Sequence, residues 1–273
     1  MKSISLGQYY PAKSYLHKAD PRIKLIMTMI FIIVSFLCKN IFGFIGLLLY
    51  TFLLVLISRI PMKMILKAVR PIMFILLFTT LINVFWTQGT TSPLFSWRFI
   101  AIYKEGLYNA FFMIVRITAL VIGASVLVTY TTTPIALTDA IESLLSPLKK
   151  IKVPVHDFAM MMTIALRFIP TLVDETEKIM SAQKARGADF SNGSLIKRAK
   201  ALIPILIPLF VSAFRRADEL ATAMECRCYR GGEGRTKLRA LKCRASDIVG
   251  LIVVVILCSG LVAFNFLNLG YSM

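Results

Sequence analysis

The sequence is short of acid, of histidine and of any nucleotide-binding loop. Fourteen Asp and Glu stand against 32 Lys and Arg in 273 residues, with two histidines, and the formal charge is +18. No G-x-x-x-x-G-K-[ST] run occurs. The nearest approach, Gly231-Gly-Glu-Gly234, is followed by Arg235 and Thr236 and lacks the lysine that contacts phosphates, so it reads as a flexible turn. Five cysteines (Cys38, Cys226, Cys228, Cys243, Cys258) follow no regular spacing, and their odd count would leave one unpaired in an oxidising compartment; they read as reduced thiols. Cys226-x-Cys228 with Cys243 lacks the C-x-x-C spacing of zinc sites, and His17 and His156 are isolated, which argues against a bound metal. No cleavable signal fits residues 1–24, which are polar and basic and are followed by an apolar run without a small-residue cleavage site, so the first span is expected to direct insertion.

What the chain has in quantity is apolar sequence. Hydrophobic residues make up 57%, above the roughly 45 to 50% of a soluble domain, and the mean hydropathy is +0.73. A spanning helix needs about 20 mostly apolar residues. Five such runs are found, at residues 25–38, 41–57, 71–86, 106–130 and 248–269, the first short on a strict count unless Lys24 and Lys39 reach to the interface along their apolar stems. They predict an all-α polytopic membrane protein with four helices in residues 1–130, a helical domain in 131–247 and a last helix in 248–273. With the amino terminus inside, segments 1–24, 59–70 and 131–247 hold 28 of the 32 Lys and Arg. By the positive-inside rule this predicts a multi-pass protein of the cell membrane with a cytoplasmic amino terminus.

Residues 131–247 mix apolar and amphipathic stretches, and Pro134, Pro147, Pro154, Pro170, Pro204 and Pro208 predict that they form several shorter helices. Two amphipathic stretches stand out. Leu172, Val173, Thr176, Ile179, Met180 and Gln183 recur at three- and four-residue steps, opposite Asp174, Glu175, Lys178, Ser181 and Lys184. Phe210, Phe214, Ala217, Ala221, Met224 and Cys228 form a second stripe whose small residues suit close helix approach. The ends of the two stretches can be overlaid: each has an acid nine residues before an arginine (Glu177 and Arg186, Asp218 and Arg227) and an alanine four before it (Ala182, Ala223). Arg186 and Arg227 are candidates for docking a partner, since a guanidinium offers five donors in a planar fork that grips carboxylates or carbonyls. Spacing alone favours the plainer reading, a helix-terminal cation placed by the helix dipole.

Other chemistry finds little support. Arg116, inside a span, is an ionisable group in the membrane and is expected to pair with a carbonyl or an acid rather than to carry a substrate. Asp174, Glu175 and Glu177 come nearest to a metal-binding carboxylate group for a membrane-bound enzyme, but with Lys178 beside them they read as a solvated face. The positive charge is spread over every inner segment without an aromatic stacking platform, which disfavours nucleic acid as a partner.

Leu6-Gly-Gln-Tyr-Tyr-Pro-Ala-Lys-Ser14, Leu16-His17, Asp20-Pro21-Arg22 and Lys24 closely resemble the opening of the transmembrane (T) component of energy-coupling factor transporters. Thr131-Thr-Thr-Pro134, Ala165-Leu-Arg-Phe-Ile-Pro170, Ala182-Gln-Lys-Ala-Arg-Gly-Ala-Asp189, Ala217-Asp-Glu-Leu-Ala221 and Ala223-Met-Glu-Cys-Arg227 resemble it as well, in the same order. The resemblance implies a scaffold in the bilayer that joins two ABC-type ATPase subunits to one membrane-embedded substrate-binding S component. It implies no catalytic residue, no metal and no cofactor, ATP being bound by the partners. It also implies that two X-Arg-X motifs, here Ala185-Arg186-Gly187 and Cys226-Arg227-Cys228, enter grooves of the ATPases. The apolar helix faces, here Leu172, Val173, Ile179, Met180, Phe210, Phe214, Ala217, Ala221 and Met224, would carry the S component. Relatives often have Gly where this chain has Cys228, a departure that bears on the local turn. The opening resembles the branch shared among several vitamins; a dedicated cobalt, nickel or biotin transporter subunit is the alternative within the superfamily, and a membrane-bound enzyme the alternative outside it.

Overall fold

The structure, a computed structural model, describes residues 9–38, 40–86, 95–97, 100–188, 190, 194–232, 241 and 243–266. Leu6 to Gln8, Lys39, Arg98, Asp189, Glu233 to Thr236 and the 267–269 end of the last expected span lie outside the described residues. The protein is all-α, apart from two three-residue strands: α1 (Tyr15–Lys18), α2 (Pro21–Leu37), α3 (Ile41–Ser58), α4 (Met62–Trp86), β1 (Phe95–Trp97), β2 (Ile100–Ile102), α5 (Lys104–Ala124), α6 (Pro134–Leu144), α7 (Val155–Ala185), α8 (Leu195–Cys226) and α9 (Ala245–Phe266). β1 and β2 pair antiparallel, Phe95 opposite Ile102. The chain divides into two compact units, residues 7–140 with 240–273, and residues 141–239.

Among the described residues of the first unit, four helices are long and apolar enough to cross a membrane: Ile41–Ser58, Met62–Phe85, Lys104–Tyr130 and Ala245–Ala263. The fifth expected span, α2, has 17 residues and rises roughly 25 Å, short of the ~30 Å hydrocarbon core. It is nonetheless a core element: Phe31 and Met27 are buried, and Phe31 packs so tightly on Gly123 that a Cβ there would fall 2.4 Å from its ring. Beyond α2 the chain turns at Cys38, and Arg116 from α5 donates to the Cys38 carbonyl at 2.8 Å while its guanidinium lies 5.1 Å from the centroid of the Phe44 ring. A cation thus meets the carbonyl end of a helix dipole inside the apolar bundle, which supplies the carbonyl partner expected for Arg116. The expected boundary at Pro71 is corrected, because α4 begins at Met62 and carries Pro71 in its interior.

A polar knot closes the other end of this bundle. Asp20 caps α2, accepting from the Arg22 N–H with Pro21 at the first helical position, where proline's missing donor costs nothing. One turn on, the fully buried Lys24 ammonium donates to the Thr131 carbonyl at 2.9 Å and to the Thr132 hydroxyl at 3.3 Å. Those acceptors sit just past a π-helical turn, Ser125–Tyr130, that ends α5; its Tyr130 hydroxyl donates to the Met64 carbonyl. Asp247 in the first turn of α9 accepts from the Asp20 and Arg244 N–H groups. His17 spans the Ser14 hydroxyl and the Tyr10 carbonyl, a pairing that suits the neutral ring, and burial pushes its pKa down. The opening segment is therefore a plug, tied to the rest of the bundle through Tyr10, Asp20 and Lys24.

Lys24 is the buried cation of this knot and feels the charges of Asp247 and Asp20. Lys24→Met should leave the Thr131 carbonyl and the Thr132 hydroxyl without their donor, at a cost of about 1 to 3 kcal/mol. Cys38 and Cys258 are buried while Cys226, Cys228 and Cys243 are exposed, so a thiol-reactive dye after blocking of the exposed thiols reports opening of the bundle. The dye should react at clearly lower temperature in Lys24→Met; an unchanged midpoint would show that the knot adds no stability.

Candidate docking site

The second unit is dominated by α7 and α8, of 31 and 32 residues. The expected breaks hold at Pro134, Pro147 and Pro154, which stand at the starts of helical segments, and are corrected at Pro170, inside α7, and at Pro204 and Pro208, inside α8. Each interior proline removes one backbone hydrogen bond and costs roughly 3 kcal/mol in isolation. The long runs of helix-forming residues on either side carry both helices through these positions. Ser194 caps α8 by accepting from the Lys197 N–H.

The two helices are joined side by side through an ion pair, Arg216 to Glu175 at 2.9 Å. The Ser212 hydroxyl and then the Arg216 guanidinium hold the Glu175 carboxyl below its usual range. Glu175 stands eleven residues before Arg186, and Arg216 eleven before Arg227. Equivalent positions of the two stretches thus meet, and each arginine lies about 16 Å of helix beyond the meeting point. The internal likeness seen in the sequence is a likeness of structure.

It extends to the way the helices stop. After Arg186, Gly187 takes φ +88°, the Gly187 N–H donates to Lys184 O at 2.9 Å, and the Ala188 N–H donates back five residues to Gln183 O at 3.0 Å. After Arg227, Cys228 takes φ +55°, the Cys228 N–H donates to Glu225 O at 2.8 Å, and the Tyr229 N–H donates to Met224 O at 3.0 Å. Both ends are the same left-handed cap, in which the residue after the arginine reverses the chain and the last carbonyls are satisfied by the backbone. Cys228 therefore preserves the turn usually made by glycine, at the steric cost that a Cβ carries in the left-handed region. Ala185, Arg186, Gly187, Cys226, Arg227 and Cys228 are all exposed, and a Cβ built on Gly187 meets nothing within 4 Å.

The apolar residues divide. On α8, Phe210 and Phe214 stack and are 61% and 66% exposed, with Ala217 and Ala221 also exposed and Met224 half-buried. On α7, Leu172, Val173, Ile179 and Met180 are half-buried, while Phe158, Met161 and Met162, earlier in the same helix, are exposed. The exposure of that earlier stretch, set by which turns of α7 are covered, is not written in periodicity. Of the carboxylates, Glu175 is engaged by Arg216, and Asp174 and Glu177 are exposed beside Lys178. Among the described residues, no three His, Cys, Asp or Glu side chains gather where they could hold a metal.

Comparison with known proteins places this geometry. Residues 12–238 match the CbiQ family, described as a cobalt transport protein. An energy-coupling factor transporter transmembrane protein EcfT of Ruminiclostridium cellulolyticum is 57% identical over 93% of this chain and 95% of its own length. EcfT proteins of Clostridium kluyveri and Bacillus subtilis are 52% and 47% identical, covering 94% and 93% of this chain and 96% of their own lengths. The chain therefore belongs to the CbiQ family of transport proteins, as a transmembrane component of an energy-coupling factor transporter.

Proposed function

We propose that this chain is the scaffold subunit of a vitamin uptake transporter of the cell membrane, with its amino terminus cytoplasmic. It would couple ATP hydrolysis by two separate ABC-type ATPase subunits to reorientation of one membrane-embedded S component. The observation that carries the reading is the pair of identical helix ends, each presenting an exposed arginine at its tip and each equally far from the ion pair that joins the helices. Two equivalent prongs fit two equivalent motor subunits. A sequence without a phosphate-binding loop leaves the nucleotide to those partners, so the subunit is read as non-catalytic and free of cofactors of its own.

In this reading each guanidinium enters a groove of one ATPase, where its planar fork can meet a carboxylate or several carbonyls. Closure of the ATPase pair then moves α7 and α8. Their exposed apolar surface, with Phe210, Phe214, Ala217 and Ala221 on α8, supports the S component as it tilts. Such a surface packs by area rather than by directional bonds, so one scaffold can accept several S components. The family's description as a cobalt transport protein favours a second reading, a subunit dedicated to a metal-ion system. The near-full-length relatives are named for energy-coupling factor transporters without mention of cobalt, and the vitamin reading rests on the resemblance of the opening motif. Recovery of vitamin-binding S components with the chain, identified by mass spectrometry, is expected; recovery of a single cobalt-binding one would favour the second reading.

Arg186→Ala with Arg227→Ala should release both ATPases during purification in mild detergent, each truncated anchor costing about 2 kcal/mol or more. Retention of both ATPases by the double variant would contradict the docking role. A separate measurement probes the turn. Cys228→Gly relieves a left-handed non-glycine residue and should stabilise the second unit by about 1 kcal/mol, read as protection of the 226–229 amides in hydrogen exchange. Cys228→Val, β-branched, should reduce that protection, and equal behaviour of the two variants would show that the turn is not under strain.

A further inference from the structure

Beside the plug, α1, α2, α3 and α9 enclose an open groove of about 530 Å3 whose walls are almost wholly apolar; Leu16, Tyr50, Leu54, Val253 and Val254 line it. It lies within the membrane bundle and uses none of the docking residues. Along α9 it runs from Ser246 to Leu257, roughly 16 Å of helix, which matches the half-thickness of a ~30 Å hydrocarbon core. The groove has the length of a single leaflet.

Its mouth is built differently. The segments that form the upper wall, Tyr15 to Leu16 and Ser246, are tied by a hydrogen bond from the Tyr15 hydroxyl to the Ser246 carbonyl. The same two stretches of chain, a few residues along, line a second cavity of about 550 Å3 that includes Lys18, Asp20 and Arg244. Asp20 is held by the Arg22 N–H, and Asp247 accepts from the Asp20 and Arg244 N–H groups, so both carboxylates are turned into the fold. Lys18 and Arg244 have no ion pair among the described residues, and Arg59, which ends α3 at this same end of the bundle, is exposed. Uncommitted positive charge at the end of an apolar, leaflet-long groove is complementary to one kind of amphiphile.

We infer that this groove is a binding site for an anionic phospholipid, one acyl chain lying along α9 between α3 and α2 and the phosphate headgroup meeting Lys18 and Arg244. The occupant is a bilayer lipid rather than a soluble phosphate, because the apolar walls need a chain to cover them. A lipid there would brace the plug against α3 and α9, adding to the Tyr15 and Asp20 hydrogen bonds that tie it to the start of α9.

The test uses the full chain with Val253→Trp, reconstituted in phosphatidylcholine vesicles containing brominated phosphatidylglycerol or brominated phosphatidylcholine. Brominated chains quench a tryptophan they touch, and the signal of Trp86 and Trp97 is subtracted using the parent chain. A control variant carries Phe74→Trp on α4, where Phe74 is 79% exposed. At position 253, phosphatidylglycerol should be preferred over phosphatidylcholine by at least about fivefold, the scale of one basic residue at a membrane surface. The control should show a ratio near one. Lys18→Glu with Arg244→Glu should bring the ratio at 253 to about one while leaving the control unchanged, which shows the bundle still folded. Equal affinity of the two lipids at 253, or a preference that survives the charge reversal, overturns the proposal. Absence of quenching by either lipid, as when a second copy of the chain seals the groove, overturns it too.

Discussion

A helix can stop on an arginine and turn away at once only if the next residue accepts a left-handed backbone. That constraint, met by Gly187 with φ +88° and by Cys228 with φ +55°, shapes both ends of the long helix pair. The backbone hydrogen bonds that reach back five residues satisfy the terminal carbonyls. The arginine side chain is therefore not needed for capping, and it stands exposed at the tip. Had the helices frayed or continued, the same guanidinium would have been spent on its own helix end. The proposed docking role rests on this freedom.

What makes two tips a device is their relation to each other. The Arg216 to Glu175 pair joins equivalent positions, so the helices form a symmetric couple with equal arms. The pair is partly exposed, and such an ion pair contributes little stability, about 0 to 1 kcal/mol. Its part is to set register between two amphipathic surfaces that would otherwise slide, much as polar residues fix register elsewhere. The membrane unit relies on a different economy: Lys24, Arg116 and the Tyr130 hydroxyl each answer a carbonyl at the end or edge of a helix, where lipid offers no partner.

Much of this was legible in the sequence, for reasons that differ from element to element. Long apolar runs gave the positions of α3, α5 and α9 within a few residues, because the bilayer demands length and apolarity together. The forty-one-residue offset between Arg186 and Arg227 was visible as matching acids and alanines, although its meaning lay in backbone turns. Proline misled: Pro71, Pro170, Pro204 and Pro208 all sit inside helices that continue, carried through by the helix-forming residues on either side. The π-helical turn at Ser125–Tyr130 has no composition cue, as it exists to bring Thr131 under Lys24. Nor could periodicity say that Leu172, Val173, Ile179 and Met180 would be half covered while Phe158 and Met161 stay exposed. The left-handed Cys228 was invisible for a further reason, that the helix end dictates it and the residue merely tolerates it.

In the proposed complex the two arginine-tipped helix ends enter two separate motor subunits. The most direct measurement replaces Arg186, or in a second strain Arg227, with a photo-crosslinking benzoylphenylalanine and irradiates intact cells. Each position should capture an ATPase chain. Crosslinks to lipid alone, or to this chain's own membrane helices, would contradict the account.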